Sequence, residues 1–229
     1  MLKYLLTTAP LAALLVACSD PVQEAQEAVN AALGIKGTTE ISEAVEYPSG
    51  VLCGRYENFD RWGESTGRRH FIYFEGEVNT VPNQQDRLVF CSETPRQVVE
   101  EDLGLPLTGN TAKHTAAIVA DLTTLSEALE RYYEVNGGYP TTEQGLQVLI
   151  KQPSGNQPAA NFPEGGYLDK LPVDPWQQPY RYEGPAWGRV KSPYTLWTAG
   201  ADNTPGGSGA ATDINAQQLK YLTFAAGQP

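Results

Sequence analysis

Residues 136–146 read Asn136-Gly137-Gly138-Tyr139-Pro140-Thr141-Thr142-Glu143-Gln144-Gly145-Leu146, and this stretch decides the fold of the second half of the chain. The Asn-Gly-Gly-Tyr-Pro run is a strong helix stop: glycine takes the left-handed angles of a helix C-terminus, and proline cannot continue one. Upstream, Ile118, Leu122, Leu125, Leu129 and Tyr132 recur at spacings of 4, 3, 4 and 3, while Asp121, Glu127, Glu130, Arg131 and Glu134 fall elsewhere. That pattern predicts one amphipathic helix of about 20 residues. Downstream, Thr141 and Gln144 stand at capping-box spacing and open a short helix expected to bury Leu146, Leu149 and Ile150. A Pro-, Gly- and Asn-rich loop fills Pro153 to Gly166, and two alternating runs, Pro179–Glu183 and Pro193–Thr198, read as half-buried strands. Helix, loop, then antiparallel strands make an α+β unit.

The first half reads differently. Asp20, Pro21, the stripe Val22, Ala25, Val29 and Leu33, and then Gly34 fit a short helix; a charged tether is the other reading. From Tyr47 the pattern becomes strand-like, with short runs at Val51–Cys53, His70–Phe74 and Leu88–Cys91 separated by Gly, Asn and Pro. Arg61 to Arg69, with Trp62 among basic residues, reads as a solvated turn, and His70 as a strand histidine. Thr94-Pro95 opens a short helix running to about Asp102, and Gly104 to Asn110 reads as a linker.

Composition bounds the function. The chain has 229 residues, 41% apolar and 19% charged, with a net charge of −11, which disfavours a nucleic-acid partner because phosphates recruit Lys and Arg. No run of about 20 apolar residues is present to span a bilayer. His70 and His114 are the only histidines and stand far apart, which removes most zinc sites and makes a Ser–His–Asp triad hard to build. Carboxylate pairs such as Glu127 with Glu130, or Asp169 with Asp174, are explained by helix faces and turns. No catalytic residue is assigned, and the expectation is a non-enzyme.

The amino terminus carries Lys3, an apolar core from Leu11 to Val16, and Leu15-Val16-Ala17-Cys18. This resembles the bacterial lipobox, which implies that residues 1–17 are a signal peptide and that Cys18 is lipidated; an ordinary secretory signal is the alternative. An acylated Cys18 implies a periplasm-facing protein held to the envelope by its lipid. Ser19 after the cysteine leans towards the outer membrane. Cys53 and Cys91 then remain as an even pair in an oxidising compartment and read as a disulfide, ahead of two buried thiols. The expected organisation is a tether or short helix over 18–46, a small β-rich module over 47–103, a linker over 104–112, and an α+β domain over 113–229. The β-rich module is similar to small Cys-Gly domains of envelope lipoproteins, a likeness that carries no activity.

The blocks of the second half, in order, resemble the periplasmic domain of the type II secretion major pseudopilin. They are Asp121–Val135, Asn136–Leu146, Gly165–Leu168 with Leu171–Trp176, Pro179–Tyr182, and Gly200–Asn203 through Gly206-Gly207 to Asp213-Ile214. The resemblance covers about residues 115–215. It implies a binding domain in secretion, with secretion-system components as protein partners. It also implies calcium in the Gly200–Ile214 loop, where Asp202 and Asp213 align with acidic family positions and Ala199 and Ser208 complete the implied set. The loop pairs flexible glycines with oxygen donors and holds no Lys or Arg, which suits a hard cation that takes six to eight oxygens. With two carboxylates and Ala210-Ala211-Thr212 where the family often has more, weaker binding is expected. The family's long apolar segment ahead of the helix is missing here, so polymerisation by the family's packing is not expected. A general envelope binding lipoprotein that has recruited this domain is the alternative reading.

Overall fold

The computed structural model describes residues 20–34, 38–152, 162–185 and 194–228. The signal segment 1–17 and Cys18 lie outside them, as does most of the Pro153–Gly166 loop. The chain divides into two compact units, one ending at Glu46 and resuming over Gly50–Val81, the other comprising Tyr47–Ser49 and Pro82–Pro229.

In the first unit, α1 (Pro21–Leu33) precedes four antiparallel strands in sequential order: β1 (Thr38–Glu46), β2 (Leu52–Phe59), β3 (Ser65–Phe74) and β4 (Glu77–Asn79). The Asp20 carboxylate accepts from the Val22 N–H at 3.0 Å, Pro21 takes the first turn, and Gly34 closes the helix at φ 59°. The stripe read from sequence is the buried face: Ala25 and Val29 pack on Leu52, Tyr56 and Phe71, with Val22 and Leu33 at the margin. Helix rather than tether is therefore the outcome. Replacing Asp20 with Ala should cost about 1 kcal/mol, read as a lowered urea midpoint, because the Val22 N–H loses its acceptor. Arg61 lies over the exposed Trp62 ring at 3.9 Å in the β2–β3 turn, which is shorter than the expected Arg61–Arg69 turn because the exposed Ser65–Arg69 already form the start of β3, paired with β2.

Several segments differ from expectation, among them β1, which occupies part of the stretch expected as tether or short helix. Leu88–Cys91 is not a strand: α2 spans Gln84–Phe90 with Cys91 as its C-cap, and the fourth strand of the sheet is β4. Three consecutive apolar residues have no strand alternation, and the Asn83/Asp86 capping box, with both reciprocal bonds formed, starts a helix that buries Val89 and leaves Leu88 43% exposed. The disulfide expected of Cys53 and Cys91 is present. The segment 104–112 is not a linker either. Leu105 and Leu107 are buried, and the Leu105 N–H donates to Val99 O at 3.0 Å, so these residues belong to the second unit and the break falls at Val81/Pro82.

The second unit opens with α2 and α3 (Pro95–Glu101), and then α4 (Ala112–Asn136). Ile118, Leu122, Leu125, Leu129 and Tyr132 are all buried along one face of α4, and Gly137 ends it at φ 72°. The Thr141/Gln144 capping bonds form, at 2.8 and 3.2 Å, but they open a turn and a 3-10 helix, Leu146–Leu149, in place of the short α-helix expected. The 3-10 helix buries Leu146, Val148 and Leu149, with Ile150 only partly covered. A three-stranded antiparallel sheet, β5 (Arg181–Glu183), β6 (Thr195–Thr198) and β7 (Ile214–Asn215), has β6 at its centre and packs β6 against α4. The chain finishes in α5 (Leu219–Ala226), which touches α2, α3 and α4. Among the described residues no helix is long and apolar enough to cross a membrane.

Candidate functional site

The loop between β6 and β7 is built on a buried carboxylate. Asp174 is 1% exposed; its Oδ1 accepts from the N–H groups of Trp176 and Gln178 at 3.0 and 2.8 Å, closing the Asp174-Pro175-Trp176 turn. Its Oδ2 accepts from the Thr198 hydroxyl at 2.6 Å, and that hydroxyl accepts from the Gly200 N–H at 3.2 Å. The end of β6 and the first residue of the loop are thus tied to the interior through one carboxylate.

The loop then coils tightly. Gly200, at φ 64°, lies where a Cβ would come within 2.6 Å of the Ala211 backbone, and at Gly207 (φ 97°) a Cβ would sit 2.5 Å from Ala211 O. Only glycine meets both the angle and the approach. The Ala201 N–H donates to Ala210 O at 2.9 Å, joining the two arms.

Ala199 is buried directly after β6, whereas Asp202 is exposed on the first turn, its Oδ1 accepting from the Thr204 N–H at 3.1 Å. Ser208 is exposed and caps a 3-10 turn, its carbonyl accepting from the Ala211 N–H at 3.1 Å. Asp213 precedes β7; its Oδ2 accepts from the Gly206 N–H at 2.9 Å, while its Oδ1 is buried with no hydrogen-bond partner. An orphaned carboxylate oxygen inside a loop of oxygen donors fits a bound cation, because ion ligation supplies the missing partner. Among the described residues no three or more His, Cys, Asp or Glu side chains cluster as a metal site, so backbone and water oxygens must complete any coordination beyond Asp202 and Asp213.

The sequence reading missed the contact between two residues that holds this loop. Arg181 on β5 donates from Nη2 to both the carbonyl O and the Oδ1 of Asn203, each at 2.7 Å, and Asn203 Nδ2 reaches Gln178 Oε1 at 3.4 Å. Asn203 itself sits at φ 53°. A lone Arg on an alternating strand offers no signal, but an Asn in a Gly-rich turn is a cue for left-handed backbone.

Of the carboxylates paired in sequence, Glu130 and Asp174 are engaged in hydrogen bonds. Glu130 accepts the Tyr139 hydroxyl at 2.7 and 2.9 Å, and burial, then this bond, holds the Tyr139 phenol well above its ordinary range. Asp121 accepts from Tyr180 at 2.9 Å, which together with the larger effect of burial raises that phenol too. Asp169 is exposed, and Asp174 is engaged as described. His114 stands edge-on to Trp176 at 5.2 Å.

The second unit has relatives among known proteins. The family model for type II secretion system (T2SS), protein G, matches residues 107–217, which includes α4, the three-stranded sheet and the whole loop. The type II secretion system core protein G of Pseudomonas aeruginosa is 45% identical over 103 residues, covering 45% of this chain and 70% of that protein. The Vibrio cholerae protein of the same name is 42% identical over 96 residues, covering 42% and 63%. A crystal structure of the major pseudopilin from the type 2 secretion system of enterohaemorrhagic Escherichia coli aligns at 28% identity over 48% of this chain and 96% of that one, with a TM-score of 0.37. The chain spans 63–70% of the length of those two curated relatives, and the first unit, α2, α3 and α5 fall outside the family model.

Proposed function

The chain belongs to the type II secretion system protein G family through residues 107–217, and on that premise we propose that it is a non-enzymatic component or accessory of type II protein secretion whose β6–β7 loop binds calcium. The observation that carries the calcium reading is Asp213 Oδ1, buried and without a partner in a loop otherwise closed by its own hydrogen bonds. Asp202 and Asp213 supply the charge, and Ala199 and Ser208 are the neutral members of the proposed set. A bound calcium ion supplies fixed positive charge that ties the two arms of the loop together.

In the same proposal the protein is an envelope lipoprotein, facing the periplasm from an acylated Cys18 and leaning towards the outer membrane. The support is the Leu15-Val16-Ala17-Cys18 sequence and the disulfide, which suits an oxidising compartment. Its partners are secretion-system proteins rather than nucleic acid, in keeping with the net charge of −11. The residues ahead of α4 form α2, α3 and the buried Leu105 and Leu107, and this favours an accessory over a fibre subunit. It also keeps open the second reading, a recruited binding domain outside the secretion machinery. Retention of the purified chain on immobilised protein G from the same cells supports the first reading, and its absence the second.

Calcium is tested by thermal unfolding of the full chain with calcium and with chelator. A ligand that binds only the folded state at tenfold excess over Kd stabilises by about 1.4 kcal/mol. A raised Tm in calcium that Asp213→Ala abolishes is the expected result; equal melting in calcium and chelator overturns the calcium reading.

A further inference from the structure

The loop itself contains no Lys or Arg, yet a protein cation reaches it from outside: Arg181 of β5, bridging the carbonyl and side-chain oxygens of Asn203 at 2.7 Å each. From this geometry we infer that Arg181 is a positioning residue that fixes the first arm of the β6–β7 loop before any metal arrives, so that the loop is formed in the calcium-free protein and only its second arm, at Asp213, awaits the ion. This deepens the calcium reading of the same loop, but its first test needs no calcium.

Three features converge on Asn203. Its backbone is left-handed, at φ 53°, a conformation uncommon outside glycine that Asn adopts more readily than most residues. Its side chain is gripped from two directions, by Arg181 on one element and by Gln178 from the Asp174 turn on another. Its N–H also donates back to Gly200 O at 3.2 Å, closing the turn that carries Asp202. A guanidinium suits this place because it stays charged at every working pH, and the two N–H groups of its Nη2 meet both oxygens at once. It therefore supplies on the first arm the positive charge that a cation supplies in an acidic loop. The second arm has no such partner, for Asp213 Oδ1 is left without a hydrogen bond.

The test is amide hydrogen exchange on the full chain in chelator, resolved residue by residue over 200–213. In the wild type the amides of Ala201, Asn203 and Thr204, which donate to Ala210, Gly200 and Asp202, are expected to be protected without calcium. Arg181→Met should speed their exchange about tenfold while leaving α4 amides unchanged. Arg181→Lys, whose ammonium can donate to both oxygens, should recover part of the protection. Asn203→Gly keeps the left-handed backbone and loses only the side-chain grips, and should give an intermediate effect. Equal exchange in Arg181→Met and wild type overturns the inference. So does a uniform loss of protection across the second unit, which would make Arg181 merely structural. Adding calcium separates the two proposals: if the wild type shows no calcium-dependent change while Arg181→Met is selectively loosened, the positioning role stands and the calcium reading falls.

Discussion

Replacing Asp174 with Ala is expected to lower the unfolding free energy of the second unit by about 3 kcal/mol, because three donors lose a charged acceptor at a buried position. The Thr198 hydroxyl is 2.6 Å from Oδ2 and 1% exposed as a residue, so it cannot turn to water; the N–H groups of Trp176 and Gln178 are less enclosed and recover part of their hydration. The effect does not stop at the turn. Thr198 passes the constraint to Gly200, and Gln178 passes it to Asn203, so the variant should also weaken calcium binding although Asp174 is not among the proposed ligands. Asn at this position keeps one acceptor oxygen and should cost less than half as much. Urea unfolding measures the stability and a calcium titration the coupling. A variant that loses stability but binds calcium as the wild type does would show that the turn supports the fold and not the loop.

What the sequence disclosed was whatever repeats along a helix or announces a chain reversal. Every residue of the α4 stripe from Ile118 to Tyr132 is buried, and Gly137 ends the helix where the Asn-Gly-Gly-Tyr-Pro run requires it. The α1 stripe was equally legible. β1 was not, because Thr38–Glu46 buries little besides Thr39, presents Glu40, Glu43 and Glu46, and carries a bulge between Ser42 and Val45; an edge strand that faces water has no apolar alternation to read. α5 escaped for a different reason. Tyr221, Leu222, Phe224 and Ala225 are buried and share one face, but Leu219–Ala226 is only eight residues, too short a window to establish a helical period. The signal that was present, Asn215 and Gln218 at capping-box spacing, forms both reciprocal bonds. At the loop, composition pointed to the donors Asp202 and Asp213, but the supports lie 20 to 40 positions earlier in sequence, at Arg181 and Asp174. Such partnerships arise only when β5, β6 and the Asp174 turn are brought together.

Asp86→Ala should destabilise the second unit by about 3 kcal/mol, through a clasp that lies wholly outside the family-matched segment. Asp86 is 2% exposed and serves two elements at once. On α2 its Oδ2 accepts from the Asn83 N–H at 3.0 Å as half of the capping box; towards α5 its Oδ1 accepts from the Tyr221 hydroxyl at 2.8 Å and from Lys220. Phe90 packs beside this clasp, its ring 4.6 Å from Phe224. The partners are unequal. The Lys220 side chain is 47% exposed and rehydrates when its partner is removed, so Lys220→Met should cost no more than about 1 kcal/mol, and the penalty of Asp86→Ala falls on the Tyr221 hydroxyl and the lost cap. Burial alone would raise the Asp86 carboxyl, but the bonds from Lys220, Tyr221 and the Asn83 backbone outweigh it and hold its pKa below the ordinary aspartate value of 3.8. A carboxylate depressed on folding stabilises fully above its unfolded pKa, and that contribution fades as pH falls through the folded one. The wild type should therefore lose stability below about pH 4 with a steeper slope than Asp86→Ala, and the two curves should converge in acid. Parallel curves with a constant gap would mean that the clasp holds through packing of Phe90 and Tyr221 rather than through the charge.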